Sequence, residues 1–369
     1  MNELIKYIPL LTDHESEVNK QRIKELIDAL KNNDAVLFVG AGLSLHACPS
    51  WDSLVQKLES LVTTCDPPFS KNETLRKSNP LKYVDEIKKF IIKTYGHDDR
   101  YKNELCAIFG KDNFLEIHKK LLHLPFIGII TTNYDTILES ALKEIESNLP
   151  IQFWFTLDND KARFISNFLK SLNRSTKIQR SIAHLHGIYN DPGKIILGEM
   201  DYFEHYGFDE KGSNFKKITI AYKFLWSILA TRRVVFVGFS MNDKYIELML
   251  KYVCNDLWSW KSGSHFFITD INNNNSNSQK TNAKKFYNDY GLSTIFYENL
   301  DEKHYGLESL VDDITASIFS ESERNKSIIK GNPITNPNSQ LNKKEEVELK
   351  QWANSINRKM IHKSKLDED

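Results

Sequence analysis

Ala35-Val36-Leu37-Phe38-Val39-Gly40-Ala41-Gly42-Leu43-Ser44 sets an uninterrupted apolar run against a glycine-rich turn. A run this short, partly β-branched and without polar alternation, is the pattern of a parallel strand covered on both faces. Upstream, Ile23, Leu26, Ile27 and Leu30 recur at helical spacing within Glu17 to Leu30, and Lys31-Asn32-Asn33-Asp34 breaks them. Downstream, Ser50-Trp51-Asp52-Ser53 gives an N-cap signal ahead of Leu54, Val55, Leu58, Leu61 and Val62. Strand, glycine turn and helix in this order make a nucleotide-binding unit, because glycines let backbone amides approach a phosphate and a following helix presents about half a positive charge.

The same alternation recurs along the chain. Phe126 to Thr131 reads as a buried strand followed by a helix on Ile137, Leu138, Ala141, Leu142 and Ile145. A strand around Phe153, a helix over Phe164 to Leu172, a strand-like run Ile182 to Gly187 and a short strand Lys194 to Leu197 come next. Phe215 to Ala230 predicts a longer helix, and Val234 to Val237 repeats the strand-to-glycine step at Gly238-Phe239-Ser240, with Tyr245, Ile246, Leu248, Met249, Tyr252 and Val253 as its helix. His265 to Thr269 and Ser293 to Tyr297 are the last strands, separated by an exposed asparagine-rich loop, Asn272 to Asn277. Strands alternating with helices predict an α/β fold, a doubly wound Rossmann-like parallel sheet with a helical insertion and a C-terminal tail. The expected division is 17–64 and 126–319 for the sheet domain, 65–125 for the insertion and 320–369 for a polar linker and interaction tail, with a charged helix over Lys343 to Met360.

Composition bounds the function. Of the 369 residues, 40% are hydrophobic, enough for a packed core. Lys plus Arg and Asp plus Glu each number 49, which removes the overall basic excess that direct nucleic-acid binding would use. No stretch approaches the roughly 20 apolar residues that span a bilayer, so no membrane partner is expected and the protein is placed in the cytoplasm. Cys48, Cys65, Cys106 and Cys254 are widely separated, with no Cys-x-x-Cys pair to hold a structural zinc, and no metal is expected.

Four polar segments fall at or just after strand ends, the edge where such sheets bind ligands. They are Gly40-Ala41-Gly42-Leu43-Ser44, Thr132-Asn133-Tyr134-Asp135, His184-Leu185-His186-Gly187 and Gly238-Phe239-Ser240. The position three after Gly42 is Leu45, so the dinucleotide fingerprint Gly-x-Gly-x-x-Gly is incomplete. Asn133 offers both a carbonyl and an amide to a ribose hydroxyl or a water, while Asp135 serves equally as a polar contact or as a cap on the next helix. His184 and His186 share a face if their run is a strand, so alternation does not choose between them; His186 lies nearer the carboxyl end.

Taken together, Gly40-Ala41-Gly42, Thr131-Thr132-Asn133-Tyr134-Asp135, His186-Gly187 and Gly238-Phe239-Ser240 resemble, in this order, the glycine turn, Thr-x-Asn-x-Asp segment, His-Gly pair and late Gly-x-Ser of the sirtuins. The four-cysteine zinc module and the Gly-Ile-Pro-Asp-Phe-Arg type segment of protein-deacylating sirtuins are missing. His46-Ala47-Cys48-Pro49-Ser50-Trp51 and Gly238-Phe239-Ser240-Met241-Asn242-Asp243 resemble instead the sirtuin-like NAD hydrolases of bacterial antiphage defence. The resemblance implies NAD as substrate, cleaved to nicotinamide and ADP-ribose, with NAD depletion halting the infected cell. It implies Asn133 and His186 as the catalytic pair. Gly40, Ala41, Gly42 and Ser44 would hold phosphates, Thr132 and Asp135 the nicotinamide ribose beside Asn133, Gly187 the ligand next to His186, and Gly238 and Ser240 the adenosine half. It further implies a homo-oligomer and, in one version, a HerA-type ATPase partner. The alternatives it leaves are a module that senses NAD or ADP-ribose without turning it over, and an ADP-ribosyl transferase or cyclase.

Overall fold

In the computed structural model, residues 8–63, 65, 68–150, 152–157, 161–172, 180–241, 243–257, 265–299 and 305–319 are described. The tail from 320 onward, with the expected helix at Lys343 to Met360, lies outside them. In chain order the elements are α1 (Asp13–Lys31), β1 (Ala35–Val39), α2 (Trp51–Thr63), α3 (Glu73–Ser78), α4 (Pro80–Tyr95), α5 (Asp99–Phe109), α6 (Glu116–His123), β2 (Gly128–Thr131) and α7 (Ile137–Ile145). They continue as β3 (Trp154–Thr156), α8 (Ala162–Ser171), β4 (Ile182–His184), α9 (Glu199–Tyr206), α10 (Ile220–Thr231), β5 (Arg233–Val237), α11 (Lys244–Asp256), β6 (His265–Ile271), α12 (Ser276–Tyr290), β7 (Leu292–Glu298) and α13 (Tyr305–Ile318).

The strands form one sheet in the order β3-β4-β2-β1-β5-β6-β7, every pair parallel. The α/β doubly wound architecture read from the sequence is therefore the fold. All residues of β1 are buried, as its unbroken apolar run requires. Leu37 and Val39 face one core with α1, α6, α7 and α13, through Leu26, Leu30, Leu121, Leu142 and Val311. Val36 and Phe38 face the other with α8, α10 and α11, through Phe168, Phe224, Ile228 and Met249. Helix α6, assigned by its position to the insertion, is part of the first core. A third cluster joins α2, α4 and α5 to Tyr134, Ile195 and Leu197, which sets these helices over the carboxyl edge of the sheet.

Three local expectations differ from what forms. Lys194 to Leu197 is not a strand: a short 3-10 turn occupies Pro192–Lys194, and the Ile196 amide donates to the His186 carbonyl at 2.9 Å, so the segment lies along the His-Gly turn. Helix α10 starts at Ile220, where Thr219 Oγ1 accepts from the Tyr222 amide at 3.1 Å, because Phe215 is held upstream in an antiparallel bridge to Phe208. The asparagine-rich loop ends at Asn275, and Ser276 opens α12, the crossover that two parallel neighbours such as β6 and β7 need.

At the edge of the sheet, α1 covers β7 in place of a further strand. Asn19 donates from Nδ2 to the Phe296 carbonyl at 3.1 Å and accepts from the Phe296 amide at 2.8 Å, while Arg22 donates to the Thr294 carbonyl at 2.8 Å.

The loops after β1 and β5 interlock. The Gly42 amide donates to the Gly238 carbonyl at 2.8 Å, and a Cβ on Gly42 would stand 2.8 Å from that oxygen. Gly238 has φ +70°, and a Cβ there would meet the Leu43 amide nitrogen at 2.8 Å. Gly42→Ala and Gly238→Ala are each expected to lower stability by about 1–3 kcal/mol in chemical denaturation. Unchanged midpoints in both would show that the two loops are not locked together.

Candidate active site

Strands β4, β2, β1 and β5 are consecutive neighbours: after β1 the chain builds β2, β3 and β4 on one side and then crosses back to place β5 on the other. The crevice of a doubly wound sheet opens at such a point, beyond the carboxyl ends. The loops after these strands carry all the candidate residues, and Asn133 is the residue on which they converge. Its side-chain Nδ2 donates to the Gly40 carbonyl at 3.2 Å and to Ser44 Oγ at 2.9 Å. Its amide donates to Thr131 Oγ1 at 3.0 Å, whose hydroxyl in turn donates to the Val39 carbonyl at 3.0 Å. Its carbonyl accepts from His184 Nδ1 at 3.0 Å. Only Oδ1, buried with the rest of the side chain, has no hydrogen-bond partner. A buried acceptor without a donor is uncommon and marks a place where a ligand donor completes the set.

Asp135 is also buried. Its Oδ1 accepts from the amide of Ile137, the first residue of α7, at 3.1 Å, although the N-cap position of that helix is Thr136. Its other oxygen meets Cys48 Sγ at 3.7 Å, and Ser44 is a further hydrogen-bond partner. Burial raises the carboxyl above its usual range, against the lowering effect of Ser44 and the Ile137 amide. Ser44 thus links Asn133 to Asp135. Cys48 is pushed up to about 12 by burial and by the Asp135 charge, which removes it as a nucleophile.

His186 is 2% exposed, and each ring nitrogen faces a tyrosine hydroxyl: Nε2 at 2.8 Å from Tyr206 and Nδ1 at 3.4 Å from Tyr202. Asp243 Oδ2 stands 3.9 Å from Nε2. Burial, with His205 adding to it, holds the imidazole well below its ordinary range, so the ring is neutral. Asp243 accepts from the Tyr245 and Ile246 amides at 3.0 and 3.1 Å as the N-cap of α11, yet burial outweighs these bonds and raises it to about 6.

The glycine segment differs from the simple phosphate cradle. Ala41–Ser44 is a 3-10 turn and α2 begins only at Trp51, so no long helix points its N-terminus at the glycines. Gly40 is required for a structural reason too, since a Cβ there would stand 2.5 Å from the Phe239 ring and 2.6 Å from the Gly238 carbonyl. Ala41 and Gly42 are exposed, whereas Gly40 and Ser44 are buried. Thr132 and Gly238 are half-buried and Ser240 is exposed. Gly187, at φ +86°, packs against the Lys194 carbonyl. Asn133, Asp135, Ser44 and Gly40 are therefore one network, while His186 belongs to a neighbouring aromatic one with α9 and α11.

Sequence reasoning quoted Thr131 in the Thr-x-Asn-x-Asp segment without giving it a role, and missed Glu139, Tyr202 and Tyr206. Glu139 pairs with His184 inside the protein, and its place on the buried side of an amphipathic helix was the available signal. Tyr202 and Tyr206 lie on α9, a short helix whose mixed polar and aromatic sequence has weak periodicity. Among the described residues no group of three or more His, Cys, Asp or Glu is arranged to hold a metal, and no helix is long and apolar enough to cross a membrane.

A family model described as a SIR2-like domain matches residues 127–295. Defense-associated sirtuin 2 of Bacillus subtilis is 25% identical over 330 residues, covering 85% of this chain and 28% of that protein. NAD(+) hydrolase ThsA of Bacillus cereus (strain MSX-D12) is 26% identical over 235 residues, covering 63% of this chain and 42% of its own length. NAD(+) hydrolase ThsA of Enterococcus faecium is 25% identical over 244 residues, with 63% and 42% covered. The chain spans less than half the length of each of these relatives. The matched region holds Asn133, Asp135, His186 and Gly238, and β1 supplies the glycine turn beside it, so over residues 127–295 the chain is similar to a SIR2-like domain.

Proposed function

We propose that the protein is an NAD glycohydrolase, releasing nicotinamide and ADP-ribose, with Asn133 and His186 as its catalytic residues. The observation that carries this reading is Asn133: its side-chain Nδ2 is tied to the glycine turn, and its Oδ1 is a buried acceptor with no donor. A ribose hydroxyl or an attacking water supplies such a donor. The names of the ThsA relatives supply the substrate class.

Cleavage of the bond between nicotinamide and ribose passes through an oxocarbenium-like state. It needs an aligned sugar and nearby negative charge or dipoles, and its leaving group is neutral. Asn133 aligns the sugar or water through Oδ1. The Asp135 carboxyl lies in the same network and supplies negative charge when ionised. His186, neutral at rest, accepts the proton from the hydroxyl or water, and Asp243 at 3.9 Å offsets the imidazolium charge so formed. Gly40, Ala41, Gly42, Ser44, Thr132, Gly187, Gly238 and Ser240 are proposed contacts to the remainder of the dinucleotide. The Bacillus subtilis relative is named a defense-associated sirtuin, which supports the reading that the activity serves antiphage defence; self-association and a HerA-type ATPase partner form part of the same proposal.

A second reading has its own support. Because His186 is 2% exposed and both its nitrogens face tyrosines, a module that binds NAD or ADP-ribose without turnover also fits. Nicotinamide release separates the two. On the glycohydrolase reading, Asn133→Ala and His186→Ala each lower release by about 100- to 1,000-fold with the circular dichroism spectrum retained. Full turnover in both variants removes the assignment, and saturable NAD binding with no product favours the second reading.

The pH dependence follows from the sign of the shifts. His186 stays neutral down to well below its ordinary range, whereas Asp243 gains its charge as pH rises through about 6. The rate is expected to rise through that window. Asp243→Asn, which keeps an N-cap oxygen, is expected to flatten this limb of the rate profile; an unchanged limb assigns it to another group.

A further inference from the structure

We propose that the buried pair His184–Glu139 is a positioning device for Asn133, fixing its backbone carbonyl so that the unpartnered side-chain oxygen is presented to substrate at one height. This deepens the proposed hydrolase reading and rests on it.

His184 ends β4 and is fully buried. Its Nδ1 lies 3.0 Å from the Asn133 carbonyl, which can only accept, so Nδ1 carries a hydrogen. Its Nε2 is in close contact with Glu139 Oε1 on α7. A carboxylate oxygen facing a bare imidazole lone pair would repel it, so a proton lies in that contact as well. Whether that proton is assigned to the ring or to the carboxyl, the imidazole donates through Nδ1 and cannot flip. Burial presses His184 toward its neutral form, but Glu139, with the Asn133 carbonyl and Asp135 assisting, outweighs burial and raises it. Asp135 and Glu139 are the carboxyl groups acting on the ring, and Trp154 closes its other side edge-on at 6.3 Å.

Two further observations bear on the role of the pair. Glu139 Oε2 is buried with no hydrogen-bond partner, so among the described residues the carboxyl is engaged through Oε1, by His184. The pair also completes the restraint of Asn133. Thr131 holds the amide, Gly40 and Ser44 hold Nδ2, and His184 holds the carbonyl, which leaves Oδ1 as the one polar atom without a protein partner. Without His184 the peptide plane after Asn133 loses its anchor, and a displacement near 1 Å is enough to cost about 100-fold in rate.

The test uses the full chain. Glu139→Ala and His184→Ala are expected to lower kcat for nicotinamide release by about 10- to 100-fold per folded molecule with KM for NAD changed less than about twofold. Glu139→Gln, whose amide still reaches Nε2, is expected to restore kcat to within about threefold of the parent, a rescue that loss of a purely structural contact would not show. Parental kcat in both alanine variants overturns the proposal. Should the alanine variants not fold, the parent protein decides: in its ring-nitrogen NMR spectrum the His184 Nδ1 is expected to be protonated and slow to exchange at neutral pH. A His184 ring protonated only at Nε2 overturns the proposal. If the parent protein binds NAD but releases no nicotinamide, the hydrolase reading has failed on its own account. The pair is then judged by calorimetry with NAD, where Glu139→Ala weakening affinity about tenfold while Glu139→Gln does not supports it, and equal affinities overturn it.

Discussion

The cross-link from Asn133 Nδ2 to the Gly40 carbonyl and Ser44 hydroxyl is the interaction on which the site depends. It joins the loops after β2 and β1, two neighbouring parallel strands, at the place where the sheet order reverses and β5 flanks β1 on its other side. Everything on either side is arranged to keep these loops in register. The loop after β5 presses Gly238 into the glycine turn, and His118 on α6 reaches the Leu43 carbonyl from the opposite side at 3.0 Å. Burial keeps that imidazole below its ordinary range, so it acts as a neutral strut.

Glycine conservation of space, more than phosphate contact, explains the residues of the turn. Gly40, Gly42 and Gly238 each lie where a methyl group would collide with backbone or with Phe239. Close packing of backbone on backbone leaves the turn with no side chain larger than a methyl group at its exposed positions Ala41 and Gly42.

Much of this was legible in the residues. The unbroken apolar runs at Ala35 to Val39 and Val234 to Val237 read as buried parallel strands, and they are paired side by side in the sheet. The convergence of Asn133, Asp135 and the glycine turn followed from strand ends alone. What the sequence did not disclose has physical causes. Polar α12 lacks an apolar stripe because only Ala283 and Tyr290 of it are buried, so its asparagines read as a loop. The two histidines of β4 and its turn could not be ranked by alternation, since their difference lies in partners distant in the chain: Glu139 for His184, and Tyr202 with Tyr206 for His186. The segment at Lys194 to Leu197 has strand-like residues but takes its hydrogen bond from a turn, a tertiary choice that local pattern does not encode.

The carboxamide of Asn19 has a consequence for how copies of the chain can meet. By giving Phe296 both a donor and an acceptor, it imitates the next strand of the sheet with a single side chain and terminates the ladder at β7. The opposite margin, β3, offers only 3 residues of backbone. Among the described residues neither border offers a long unpaired strand for edge-to-edge growth, which leaves helical surfaces as the broad faces on which copies of the chain could meet.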